Sequence, residues 1–204
     1  PRVPMIVVSP WSRGGWVNSQ AFDHTSLVRF LEERFGVTEP NISPWRRAVL
    51  GDLTSAFNFR RPNYRPFPVL PSLTQQEADS IRNAQQLLPQ VPNPLGPAGT
   101  LPPHPIGMRP SRALPYELHV DGAVEADAAR VRLAFRNTGQ AGAVFHVYDR
   151  LRLDLVPRRY TVEAGSALED TWAAGVDVSG QYDLWVLGPN GLLRHLEGTA
   201  KAGD

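Results

Sequence analysis

Tyr182-Asp183-Leu184-Trp185-Val186-Leu187-Gly188-Pro189-Asn190-Gly191-Leu192-Leu193-Arg194-His195-Leu196 decides the fold of this 204-residue chain. Two apolar-rich runs flank Asn190-Gly191, and both of those residues tolerate positive φ, so the stretch predicts two antiparallel strands joined by a tight turn. The same period-two pattern extends upstream to Leu114. It predicts strands near 116–121, 130–136, 143–148, 159–163, 168–172, 181–187 and 192–196. Turn signals separate them: Asp121-Gly122, Asn137-Thr138-Gly139, Ala164-Gly165, Ser179-Gly180 and Pro189-Asn190-Gly191. Short strands at such spacing predict an immunoglobulin-like antiparallel sandwich over residues 113–200. Val144, Tyr182, Leu184 and Val186 are expected to point inward, with Trp172 and Trp185 as large fillers of core or rim.

Upstream of the sandwich the pattern breaks. Residues 61–112 hold most of the 20 prolines and read as an extended linker or strap. One short helix interrupts it: Thr74-Gln75-Gln76-Glu77 is a capping box, followed by Ala78, Ile81, Ala84 and Leu88 at helical spacing. Residues 1–60 read as α/β, in the order strand, loop, helix, turn, helix. Met5-Ile6-Val7-Val8 lacks polar alternation, as expected of a strand buried on both faces. The neighbours such a strand needs are not found before the linker, so the α/β part is expected to be incomplete. Thr25 or Ser26 is expected to cap a helix carrying Leu27, Phe30, Leu31 and Phe35 on one face, and Gly36 ends it. Ser43-Pro44 starts a second helix, which Gly51-Asp52 cuts short.

Composition excludes several function classes. The net charge is +1 with 42% hydrophobic residues, and no Lys/Arg cluster exists to neutralise a run of phosphates, so no nucleic-acid partner is expected. Lys201 is the only lysine among 21 basic residues. The absence of cysteine rules out disulfides, thiolate metal sites and cysteine nucleophiles. No run of about 18 apolar residues occurs that would span a membrane. Pro1 to Pro10 lacks the layout of a signal peptide.

The candidate chemistry lies in residues 11–26. Trp11-Ser12-Arg13-Gly14-Gly15-Trp16 forms a loop at the carboxyl end of the expected parallel strand, where α/β sheets place ligands. Asp23-His24-Thr25-Ser26 follows at a helix start. His24 can serve as metal ligand or proton carrier, with Asp23 orienting it or binding metal; alternatively Asp23 only caps the helix and His24 packs there. Ser12 and Arg13 with the two glycines form either an anion-binding nest or an ordinary tight loop. Trp11 and Trp16 either wall a quaternary-ammonium pocket or simply anchor the loop. Arg46-Arg47 reads as a solvated helix face. His104, His119, His146 and His195 have no metal-ligand spacing.

Three stretches resemble one family. Arg2 to Gly15 continues through Phe22-Asp23-His24-Thr25-Ser26; Ser43-Pro44-Trp45-Arg46-Arg47-Ala48 leads into Gly51-Asp52-Leu53-Thr54-Ser55-Ala56-Phe57; Leu114-Pro115-Tyr116-Glu117-Leu118 opens the sandwich that closes with Tyr182-Asp183-Leu184 and Gly188-Pro189-Asn190-Gly191. Together they resemble the bacterial phosphocholine-specific phospholipases C of the alkaline-phosphatase-like phosphoesterases. The resemblance implies an exported enzyme that cleaves phosphatidylcholine, with sphingomyelin as a second candidate, to diacylglycerol or ceramide plus phosphocholine. Export through the twin-arginine route to a secreted or periplasmic location is implied. So is a hydroxyl nucleophile on a divalent metal, both supplied by residues preceding the segment that begins at Pro1. The missing N-terminal part of its own catalytic domain is therefore an expected partner, beside the phospholipid substrate and the membrane surface. This chain alone is expected to bind no metal and to be inactive. His24 and Asp23 are implied as catalytic, and Trp11, Ser12, Arg13 and Trp16 as substrate-binding. Residues 114–198 resemble the small C-terminal domain of these enzymes, often present twice, and a second copy following Asp204 is an open expectation.

Two other readings stand beside this one: a fragment of an acid-phosphatase-like phosphomonoesterase, and a β-sandwich that binds membrane or partner. Exposed aromatics along one sandwich edge would support the latter.

Overall fold

The computed structural model describes residues 3–60, 66, 69–90, 99–100, 103, 106–125, 129–174 and 180–200. His104, Ser179 and the tail from Lys201 to Asp204 lie outside the described residues. The chain divides into two compact units, one made of residues 1–62 with 110–204 and the other of residues 63–109.

In the larger unit, strands form where period two predicts them: β1 Leu118–Glu125, β2 Arg130–Asn137, β3 Ala143–Asp149, β4 Arg158–Val162, β5 Ser166–Ala173, β6 Gln181–Leu187 and β7 Leu193–Thr199. They pair into a three-stranded sheet β1-β2-β5 and a four-stranded sheet β4-β3-β6-β7, with every named pairing antiparallel. One core fills the space between the sheets, built on Val131, Leu133, Phe135, Phe145, Val147, Val162, Trp172, Leu184 and Val186. Phe135 stacks on Tyr160 and tilts against Phe145, with ring centroids 4.7 and 5.1 Å apart.

Asn137 is fully buried, yet its amide is satisfied: it donates to the carbonyls of Ala141 and Val162 and accepts from the Gly139 N–H. Such a buried polar group stabilises the turn only because each bond is made. The Asn190-Gly191 turn adopts positive φ at both residues, 56° and 74°.

Two details of the sandwich depart from expectation. Asp121-Gly122 is not a turn but the middle of β1, and Gly122 pairs with Leu133. A Cβ at position 122 would lie 3.1 Å from the Leu196 side chain, so glycine serves close approach of the other sheet there. Val144 does not point into the core. Ala143, Phe145 and Val147 are fully buried on β3, and the alternation leaves Val144 on the outer face beside Thr161. Phe145, the larger side chain, determines which face turns inward.

In residues 3–60 two helices form, α1 His24–Phe35 and α2 Pro44–Val49. Ser43 caps α2 with Pro44 in the first turn, and Gly36 ends α1 in the left-handed region. The N-cap of α1 is Asp23 rather than Thr25 or Ser26. Its carboxylate accepts the Thr25 N–H at 2.7 Å, while the Ser26 hydroxyl accepts the Asp23 N–H at 3.1 Å, a reciprocal capping box.

Met5-Ile6-Val7-Val8, expected as a strand buried on both faces, is no strand in this structure. It has no ladder partner among the described residues, and Ile6 and Val8 are 86% and 84% exposed. A parallel strand cannot form without neighbours to take its N–H and C=O groups.

Residues 3–60 pack onto one end of the sandwich. The Gly142 N–H donates to the Ala48 carbonyl at 2.8 Å, the Trp45 indole to the Thr161 hydroxyl at 3.0 Å, and the Ala21 N–H to the Tyr116 phenol oxygen at 2.9 Å. Burial raises the Tyr116 phenol above its usual pKa, and the Ala21 N–H partly opposes that rise.

The second unit contains α3 Gln75–Gln86. Thr74 and Glu77 form the expected capping box. Every residue of α3 is exposed, Ile81 included.

Candidate functional site

The loop after Val8 is held by its own side chains. The Ser12 hydroxyl lies 3.1 Å from the Val7 carbonyl and 3.4 Å from that of Ser9, and the Ser12 N–H also donates to Ser9. That hydroxyl is committed to closing the turn. Gly14 and Gly15 adopt φ of 120° and 68°, which side chains other than glycine rarely adopt. The Trp16 indole donates to the Arg13 carbonyl at 3.2 Å, closing the same turn from the other side. Trp11 packs against Phe59, and its carbonyl accepts from Asn58 at 2.8 Å. Phe59 in turn stacks on Phe57, and Phe57 on Phe30 of α1.

The two tryptophans therefore anchor to different neighbours and form no joint wall through any ring contact in the structure. Trp16 is partly exposed and already has a cation over its ring: the Arg112 guanidinium lies 4.5 Å from the ring centroid. Sequence reasoning missed Arg112 altogether. It reaches the loop because Val17 and Ser111 form a parallel bridge, with Val17 donating to Pro110 and Arg112 donating back to Val17. Its guanidinium also donates to the Ala56 carbonyl at 3.0 Å. The segment leading into the sandwich thus pins the tryptophan loop.

At the start of α1, both carboxylate oxygens of Asp23 are engaged. One accepts from the Thr25 N–H and hydroxyl, and the other pairs with Arg46 of α2. Asp23 makes no hydrogen bond to His24. It is a cap and a clasp between helices. Replacing Asp23 with alanine is expected to destabilise the chain by about 1 kcal/mol, the usual cost of losing a cap. The denaturant midpoint measures this, and an unchanged midpoint would refute the assignment. His24 itself is exposed at the first helical position, and its imidazole hydrogen-bonds to none of the described residues.

Arg46-Arg47 is not a solvated face. Arg47 makes two parallel hydrogen bonds to the Glu32 carboxylate, at 2.9 and 2.8 Å, and a third to the Glu39 carbonyl. A fork of this geometry is among the stronger surface ion pairs. The Arg47 hydrogen bonds, then the Glu39 N–H, lower the Glu32 pKa from 4.5 to about 2. The folded-state pKa is depressed, so the contribution is complete above about pH 4.5 and lost as pH falls toward 2. The gap in melting temperature between wild type and Glu32→Gln should be largest near neutral pH and close on acidification. A pH-independent gap would contradict the pairing.

A second cluster lies on the sandwich. Asp183, His195 and Glu197 each offer one ligand atom within 4.8 Å of the others. Cross-strand register brings them together, because Asp183 pairs with Glu197 and Trp185 with His195. His195, which its spacing leaves isolated, is therefore clustered; it lies on the same face of the sheet as Asp183, one diagonal step away across the β6–β7 pair. Arg150 already serves this cluster, donating to Asp183 at 2.9 Å and lying 4.4 Å above the Trp185 ring.

The fold defines the class: a two-sheet antiparallel β-domain with a helical segment packed on one end. Residues 110–199 match the family described as bacterial phospholipase C, C-terminal domain, and residues 1–38 match the phosphoesterase family. The chain is 56% identical over 98% of its length to a non-hemolytic phospholipase C of Pseudomonas aeruginosa, and 49% identical over 99% to one of Burkholderia pseudomallei. It is 40% identical over 97% to a hemolytic phospholipase C of Pseudomonas aeruginosa. Over nearly its whole length the chain is similar to the C-terminal part of bacterial phospholipases C. It spans 28–30% of the length of those three relatives.

Proposed function

We propose that this chain is the C-terminal part of an exported phospholipase C that hydrolyses phosphatidylcholine, and sphingomyelin as a second substrate, to diacylglycerol or ceramide and phosphocholine. The observation that carries this reading is identity above 40% to two proteins named phospholipase C across nearly the whole chain. Residues 3–60 act as the edge of an α/β catalytic domain. Their exposed apolar side chains support this: Val3, Met5, Ile6 and Val8 in the extended segment, with Leu27, Leu31 and Phe35 on α1, form surface that a larger domain would cover.

Phosphoesterases of this type are generally metal-dependent, and the metal lowers the pKa of a hydroxyl nucleophile and stabilises phosphoryl charge. Residues 3–60 do not fit a metal centre. Asp23 is committed to its cap and to Arg46, and among the described residues of 3–60 no three ligating side chains converge. No catalytic step is therefore assigned to a metal held by this chain. His24 is the group left available for the reaction, to donate or accept a proton.

The test is release of phosphocholine from phosphatidylcholine by the full-length enzyme. Release of inorganic phosphate from phosphomonoesters without phosphocholine release would favour the phosphatase reading instead.

A further inference from the structure

We propose that the loop between β3 and β4, residues 150–157, is a lipid anchor that places aliphatic side chains in the interfacial region of a phosphatidylcholine bilayer while Arg159, beside it on β4, meets a lipid phosphate. The proposal rests on the lipid-substrate reading above.

Among the described residues of the sandwich, four of the seven exposed large apolar side chains lie in this one loop, the others being Val124, Leu187 and Leu193. Among the described residues Leu151, Leu153, Leu155 and Val156 are 54%, 63%, 50% and 81% exposed, and all four fall within six consecutive positions. They are not exposed because the loop is slack. The Asp149 carboxylate accepts from the Leu151 N–H at 3.0 Å and from the Arg152 guanidinium at 2.8 Å, and the Leu155 N–H closes a turn onto the Arg152 carbonyl. Arg150 fixes the base by its bond to Asp183 and its stacking on Trp185. An ordered loop that displays leucines is built to meet an apolar medium.

The flanking charge selects the medium. Of the arginines that border the tip, Arg150, Arg152 and Arg158 are paired with Asp183, Asp149 and Asp170. Arg159 has no ion-pair partner among the described residues, and guanidinium forks match phosphate oxygens. A tip of aliphatic side chains between arginines suits the boundary between headgroups and acyl chains. Among the described residues the sandwich carries no exposed Phe, Tyr or Trp ring, so the aromatic edge expected of a binding sandwich is not found and the apolar side chains of the tip are all aliphatic. Strand register also places the loop suitably. It leaves β3 after Asp149, whereas residues 3–60 attach at Gly142 and Thr161, at the opposite end of the same strands. The loop is thus free while the other end holds the phosphoesterase segment.

The experiment is co-sedimentation of the 204-residue chain with phosphatidylcholine vesicles, alone or with phosphatidylglycerol added. All proteins carry Leu31→Ser and Phe35→Ser, which remove the exposed α1 face from the comparison. Adding Leu153→Ser and Val156→Ser is expected to lower vesicle partitioning at least fivefold with an unchanged melting temperature. Arg159→Gln is expected to lower binding most on the anionic vesicles. Equal binding with and without the serine pair, or no binding by the parent, would overturn the anchor. So would a vesicle-free dimer that the serine pair dissolves, since the loop would then be an interface between copies. Binding needs no turnover, so this outcome is independent of the phosphocholine assay.

Discussion

Phe135→Ala is expected to destabilise the sandwich by about 3–5 kcal/mol, the range for removing a buried aromatic ring from a packed core. Phe135 sits mid-strand on β2 with no exposed surface, and its ring contacts both Phe145 and Tyr160 of the opposite sheet. Removing it opens a cavity between the two sheets where neither can collapse without breaking strand pairing. A small domain has only about 5–15 kcal/mol of stability in total, so the loss approaches the threshold of unfolding. Urea titration followed by tryptophan fluorescence reads the effect. Phe135→Leu keeps most of the volume and is expected to cost less than about 1.5 kcal/mol. Because α2 is bonded to the sandwich through Gly142 and Thr161, Trp45 should report the same transition as Trp172. A shift below about 1 kcal/mol for the alanine variant would contradict the packing described.

His24→Ala in the full-length enzyme is expected to slow phosphocholine release at least tenfold, equivalent to about 1.4 kcal/mol of barrier. The expectation follows from the contrast between adjacent residues. Asp23 spends its carboxylate on the helix cap and Arg46, whereas the imidazole next to it is exposed and makes no hydrogen bond within the described structure. Asp23→Ala should lower stability while leaving turnover per folded molecule little changed, so the pair separates a structural from a chemical role. Full turnover by a folded His24→Ala enzyme would remove His24 from the reaction. The 204-residue chain alone, tested with added divalent metals, is expected to show no phosphodiesterase activity.

Much of this architecture was legible because it is written locally. Period-two alternation located seven strands, Ser43-Pro44 and Thr74 to Glu77 marked helix starts, and Asn190-Gly191 marked a turn with positive φ. Each signal lies within a few residues, where backbone sterics and capping bonds act. The errors came where two local readings competed. Asp121-Gly122 looks like a turn until Leu196 of the other sheet presses onto the glycine, and Val144 looks inward until Phe145 takes the core.

The sequence by itself therefore determined the strands, the helix ends and a family resemblance resting on long motifs. Only the tertiary structure decided what the candidate site residues do. Asp23 meets Arg46, Arg47 meets Glu32, Trp16 meets Arg112, and Asp183 meets His195, each across an intervening helix, turn or strap. Such pairs depend on register and docking, which no local pattern encodes. Tertiary packing leaves His24 unpaired among the described residues, while bonds from Asp149 and Arg150 hold leucines 151, 153 and 155 out toward solvent, and those two features carry the chemistry and the lipid contact proposed here.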